Sequence, residues 1–189
     1  MKKAFIILIQ LAFIFSFGSA AKKISRNSPV VLDWQYRDEG GEIPAWVTAI
    51  AQSDRNTVIK ELELEGYKVW TVQVSGDNLE MLEMFDDVAG VTEEISREMT
   101  SEINEVTIAD NDMAEISMLK VQEVFSQSEI RGLQKMSSFW IKNGTLKKGV
   151  KKAKKESDYQ VKFNYYSVWV MDSDLYEVQL KNVINEINE

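Results

Sequence analysis

Chemistry in this sequence falls to carboxylates, amines and hydroxyls, because its 189 residues include 30 Asp plus Glu and 22 Lys plus Arg but no His and no Cys. Thiol nucleophiles, imidazole bases, redox pairs, thiolate-bound clusters and zinc in its usual Cys/His forms are thereby excluded. Little that is specific remains. Ser117-Met118-Leu119-Lys120 has the S-x-x-K spacing that sets an amine one helical turn from a hydroxyl, but the chain has no K-T-G or S-D-N partner and is too short for that fold. Asp110-Asn111-Asp112 begins like a calcium loop, yet Glu115 stands where the sharp turn needs Gly, and no Glu closes twelve residues in register. Glu94, Glu98 and Glu102 recur one turn apart and could gather calcium between subunits; a solvated stripe is the plainer reading. A paired-carboxylate hydrolase would need a separation in space that spacing along the chain does not give. Asn143-Gly144-Thr145 has the form of a glycosylation acceptor and reads as a turn. No catalytic, cofactor-binding or metal-ligating residue is assigned, and the expectation is a noncatalytic protein with no cofactor.

Charge is more informative than reactivity. Thirteen carboxylates from Asp77 to Glu115 face Arg97 alone, whereas Lys142, Lys147, Lys148, Lys151, Lys152, Lys154 and Lys155 lie in a stretch with no acid. Gly144 and Gly149 beside the lysines, with strand patterns on either side, place the run on a long hairpin loop. Either the loop is solvated surface, or Lys147, Lys148, Lys151, Lys152, Lys154 and Lys155 meet an anionic surface, which is phosphate-bearing lipid or the acidic helix of a neighbour. Clustered charge of this kind steers encounter and orientation. Nucleic acid fits poorly: the chain is −8 overall, and the lysines have no interleaved aromatics before Tyr159. Trp140, Tyr165 and Trp169 form a candidate ligand face, on which rings would stack against a small or extended ligand; aromatics alternating in a strand are otherwise core. Trp34 and Trp46 either pin the N-terminal segment or dock a partner.

These residues need elements to position them. Lys2 and Lys3, the apolar run Ala4–Phe17 and the small residues Gly18-Ser19-Ala20 have the form of a cleavable secretory signal over residues 1–20, too short to span a bilayer as a helix. Processing after Ala20 removes two lysines and leaves a chain of −10. Residues 21–43 read as a leader segment containing a short extended piece at Pro29–Trp34, and 44–189 as one domain. Asp54 or Ser53 caps a helix carrying Val58, Ile59 and Leu62 and ending at Gly66. Tyr67–Ser75 is a strand closed by Gly76-Asp77-Asn78. From Leu79, the residues Leu82, Phe85, Ala89, Thr92, Ile95, Met99, Ile103 and Val106 draw one stripe down a continuous helix of roughly 25 residues. A second helix is expected over Asp112–Phe125, then strands at Leu133–Lys142 and Tyr159–Met171. The last strand turns apolar on both sides at its far end, so it should be central there. Asp172 or Ser173 caps a final helix through Tyr176, Leu180, Val183, Ile184 and Ile187. The order implies an α+β domain of two layers, with helices packed on one face of a small, mainly antiparallel sheet.

Pro44-Ala45-Trp46-Val47, the strand followed by Gly76-Asp77-Asn78-Leu79-Glu80-Met81-Leu82, the Ser138-Phe139-Trp140-Ile141 strand, and Tyr165-Tyr166-Ser167-Val168-Trp169-Val170-Met171-Asp172 running into a last helix together resemble the small bacterial envelope lipoproteins related to FlgP, the LPP-type family. The resemblance spans most of the chain after the leader and rests on short words. It implies a noncatalytic periplasmic or outer-membrane-associated module, in some members part of the flagellar base, assembling with itself or with envelope partners. The chain departs from that family in having no Cys to acylate, so envelope association would have to come from protein contacts or charge. With no Cys there are no disulfides either, and the fold must be held by packing.

Overall fold

A computed structural model describes residues 28–109, 121, 132–150 and 152–188. The expected signal, the start of the leader, the S-x-x-K and Asp110–Asp112 words and all of the Asp112–Phe125 helix except Val121 lie outside the described residues. The chain runs β1 (Val30–Trp34), α1 (Ala45–Ala51), α2 (Arg55–Glu61), β2 (Tyr67–Gly76), α3 (Leu79–Phe85), α4 (Val88–Ala109), β3 (Gln134–Leu146), β4 (Tyr159–Asp172) and α5 (Ser173–Asn188). The α+β class with an antiparallel sheet is as the sequence implies.

The four strands lie in the order β1-β3-β4-β2, and every pairing is antiparallel. β2 pairs with β4 without interruption from Tyr67↔Asp172 to Gly76↔Phe163. β1, which falls inside the expected leader, is hydrogen-bonded into the sheet as the edge beside β3, with a bulge at Leu32. The two Trp residues explain why this segment is not loose. Trp34 Nε1 donates to the Gly41 carbonyl at 2.9 Å, and Trp46 is buried edge-on against Phe139. Gly144 sits inside β3, paired with Val161 and Val30, and not at the turn its Asn-Gly context suggests. A Cβ there would stand 2.7 Å from Leu32 Cδ1 and 2.9 Å from Tyr159 Cγ, so glycine is what lets β1 and the Tyr159 ring close over the strand.

Helices cover both faces of the sheet, where a single helical layer was expected. Strand side chains alternate, so Trp70, Trp169 and Met171 share one face, and Val69, Phe139, Tyr166, Val168 and Val170 share the other. The first set packs with Ile95, Met99 and Ile103 of α4 and Tyr176, Leu180 and Val183 of α5. The second packs with Trp46, Val47 and Ile50 of α1 and Val58 of α2. This two-sided burial is why the far end of β4 is apolar on both sides, with Tyr165 through Met171 all buried. Arg55 of α2 and Glu98 of α4 approach to 3.7 Å, which ties the two helical layers together past the rim of the sheet at β2.

Helix ends follow local chemistry. Asp54 accepts from Thr57 N–H at 3.1 Å and Asp172 accepts from Asp174 and Leu175 N–H at 3.0 and 3.1 Å, the expected N-caps of α2 and α5. α2 stops at Glu61, earlier than expected, because Glu63 takes the left-handed conformation at φ 54°; Gly66, at φ 89°, instead turns the chain into β2. The long helix is also not continuous. It breaks at Asp86-Asp87 into α3 and α4, and the break turns Phe85 outward while Leu82, Ile95, Met99 and Ile103 remain buried.

Candidate interaction surface

The lysine loop is the β3–β4 connection. β3 extends to Leu146, farther than the expected strand end at Lys142, so Lys142 stands within the sheet and its ammonium goes to Glu156 at 2.5 Å. The rest of the loop projects beyond the last strand pair, Leu146↔Tyr159. Lys147, Lys148, Lys152, Lys154 and Lys155 are exposed, and Lys151 lies outside the described residues. A single carboxylate organises the base. Asp158 Oδ2 accepts from the backbone N–H of Lys154 at 2.8 Å and of Lys155 at 3.1 Å, while the Asp158 carbonyl accepts from Lys147 N–H at 3.0 Å. Those two backbone donors, reinforced by the positive field of Lys155 and Lys147, hold the Asp158 carboxyl below the usual carboxylate range. The lysines therefore rise from a loop whose far end is held by the Asp158 carboxylate and whose near end is held by the Asp158 carbonyl and the Lys142–Glu156 pair.

The aromatic candidates do not form one open face. Tyr165 and Trp169 are buried, and only Trp140 is partly exposed, edge-on to Phe163 with ring centres 6.0 Å apart. Burial pushes the Tyr165 phenol up to about 12 against an opposing hydrogen bond from Ser138, so it stays protonated across the physiological range.

What lies over Tyr165 and Trp169 is a polar cluster that sequence reasoning missed. Asp86, at the α3–α4 break, has a side chain only 1% exposed. Its Oδ1 accepts from Ser167 Oγ at 2.6 Å and from Trp169 Nε1 at 3.0 Å, and its Oδ2 pairs with Lys135 Nζ at 2.8 Å. Lys135 also donates to the Asp86 carbonyl at 2.8 Å and stands 5.1 Å from the centre of the Trp169 ring. Burial alone would raise the Asp86 carboxyl; the hydrogen bonds from Lys135, Ser167 and Trp169 outweigh it and hold the group below its ordinary value. With every partner a donor or cation, the carboxylate is locked as an acceptor, and the cluster pins the helix break to the sheet.

The acidic ladder of α4 divides in the same way. Glu98 accepts from Trp70 Nε1 at 2.7 Å and pairs with Lys68 at 3.5 Å; Glu102 pairs with Lys68 at 2.7 Å. Burial works against the Lys68 charge, but Glu102 and Glu98 more than compensate and raise its pKa. Glu93 and Glu94 turn the other way, to Arg97. Glu94 thus does not join Glu98 and Glu102 around a shared centre, and among the described residues no group of three acidic side chains is placed to hold a metal ion. No described helix is long and apolar enough to cross a membrane.

The break in the long helix leaves a second surface that the periodicity concealed. Met81, Met84 and Phe85 of α3 point outward while Leu82 points down onto Gly76. Set against protein-family models, curated proteins and solved structures, the chain matches none.

Proposed function

We propose that the chain is an exported, noncatalytic structural or interaction module of a bacterial envelope, with the lysine loop as its contact element. The loop carries the reading: five described lysines are exposed on a segment whose base is fixed by Asp158, so the charge is presented and not folded back. Lysine without arginine suits diffuse attraction to an anionic partner better than bidentate recognition. The leader pattern supports export, and the resemblance to the FlgP-related lipoproteins supports a flagellar or outer-membrane-associated setting, reached without a lipid anchor. A ligand site on the sheet aromatics is less favoured, because Tyr165 and Trp169 are covered.

The test replaces Lys147, Lys148, Lys152, Lys154 and Lys155 by Gln and follows co-fractionation with the native envelope at two salt concentrations. The fold should be unchanged by circular dichroism, since exposed charges contribute little to stability. Envelope association should weaken with the substitutions and, for the natural chain, with salt. Association indifferent to both would overturn the reading.

A further inference from the structure

Exposed apolar surface in the described residues is concentrated on α3. Met81 is 52% exposed, Met84 77% and Phe85 68%, three large apolar side chains on a helix of seven residues. Lys135 of β3 holds Asp86, the residue directly after α3, by its side chain and its carbonyl. The Asp86 cluster thus fixes the outward turn of this surface, because it anchors the end of α3 to β3 and β4. Among the described residues, Asp77, Glu80 and Glu83 on and beside α3 are exposed and acidic, whereas Lys135 is committed to Asp86. An apolar face with an acidic rim repels anionic lipid and suits a basic segment that also carries aliphatic surface.

The chain itself contains such a segment. The loop offers Lys147, Lys148, Lys152, Lys154 and Lys155 around Val150, and its base is held by Asp158 and by the Lys142–Glu156 pair. Loop and α3 are exposed on the same molecule, so neither satisfies the other within one chain. We infer that the Met81–Met84–Phe85 face of α3 is the docking surface for the lysine loop of a second copy of this chain. The lysine stems and Val150 cover the methionines and Phe85, while the ammonium groups meet Glu80, Glu83 and their neighbours. This rests on the loop being a contact element and adds the surface that receives it.

A charge exchange tests the pairing. One variant carries Lys148→Glu and Lys152→Glu, another Glu80→Lys and Glu83→Lys, and sedimentation velocity follows each alone and the two mixed, up to roughly 0.1 mM chain. All four sites are exposed, and circular dichroism checks that each variant is folded. The natural chain should self-associate, and raising salt from roughly 0.05 to 0.5 M should weaken that at least tenfold. Each variant alone should associate far more weakly than the natural chain, and the mixture should regain association, because the unaltered loop of the α3 variant then meets the unaltered α3 of the loop variant. Met84→Ser with Phe85→Ser should weaken association of the natural charge pattern at least tenfold. A natural chain that remains monomeric, or a mixture that fails to associate, overturns the inference. An α3 variant that associates like the natural chain while the loop variant does not would also overturn it, leaving the loop as a contact element with a different receptor.

Discussion

At the residue scale, the buried polar contacts decide what individual side chains are worth. Ile95 is fully buried, so Ile95→Ala should cost about 2 to 4 kcal/mol. Glu98 lies off the apolar stripe and reads in the sequence as dispensable surface, but its removal leaves the buried Trp70 indole N–H without its acceptor. Glu98→Ala should therefore cost about 1 to 3 kcal/mol, and Glu98→Gln less, in urea unfolding. Asp86 is the more demanding case. Asp86→Asn uncouples Lys135, and because the Lys135 side chain is about one-third exposed the loss should be about 2 kcal/mol, below the 3 to 5 of a fully buried pair. The Asp86 carboxyl titrates lower folded than unfolded. Its stabilisation is thus complete above the unfolded value near 3.9 and is lost as pH falls through the folded one. Melting curves from pH 7 down to 2.5 should show the gap between natural chain and Asp86→Asn constant to about pH 5 and shrinking below pH 4. A gap independent of pH would mean that the carboxylate charge contributes nothing.

At the scale of elements, what could be read along the chain was what short-range chemistry dictates. β2 is announced by a β-branched and aromatic run, α5 by Asp172 ahead of a 3.6-residue stripe, and the lysine loop by a charge run between two strands. The α3–α4 break was not legible, because no Gly or Pro stands between Leu79 and Ala89, Gly90 falls inside α4, and the stripe continues in phase on both sides. It is specified by Lys135, Ser167 and Trp169, at 49, 81 and 83 positions' distance from Asp86 along the chain, which no local window joins. The outward face of Met84 and Phe85 was hidden for the same reason, since an unbroken helix places Phe85 inward. α1, with seven residues and Pro44 before it, is too short to draw a stripe at all. Gly144 shows the opposite error, a turn signal inside a strand. Gly144→Ala should cost about 1 to 3 kcal/mol by crowding Leu32 and Tyr159, and hydrogen exchange should quicken first in β1, which that contact seats.

At the scale of the molecule, β4 is shared by two cores. Val168 and Val170 belong to the α1–α2 side, and Trp169 and Met171 to the α4–α5 side. Neither core can be lost without exposing one face of the same strand, so the two should melt together. Leu64→Ala on one side and Met99→Ala on the other, both at fully buried positions, should each lower stability by about 2 to 5 kcal/mol. Fluorescence from Trp46 and from Trp70, read separately in variants where the other tryptophans are replaced by Phe, should report one midpoint for both sides. Two midpoints would show that the layers are independent.

The strand order also sets a timetable for synthesis. β1 and β2 leave the ribosome first, yet both are outer strands, and the β3–β4 hairpin against which each must line up is encoded in the second half of the chain. β1 meets its partner β3 once residue 146 has emerged, but β2 must wait for β4, which ends at Asp172, so the sheet is completed only near the end of synthesis. If the chain is exported as proposed, through a pore that admits only unfolded segments, that delay keeps β2 unpaired and threadable for as long as β4 is still being made.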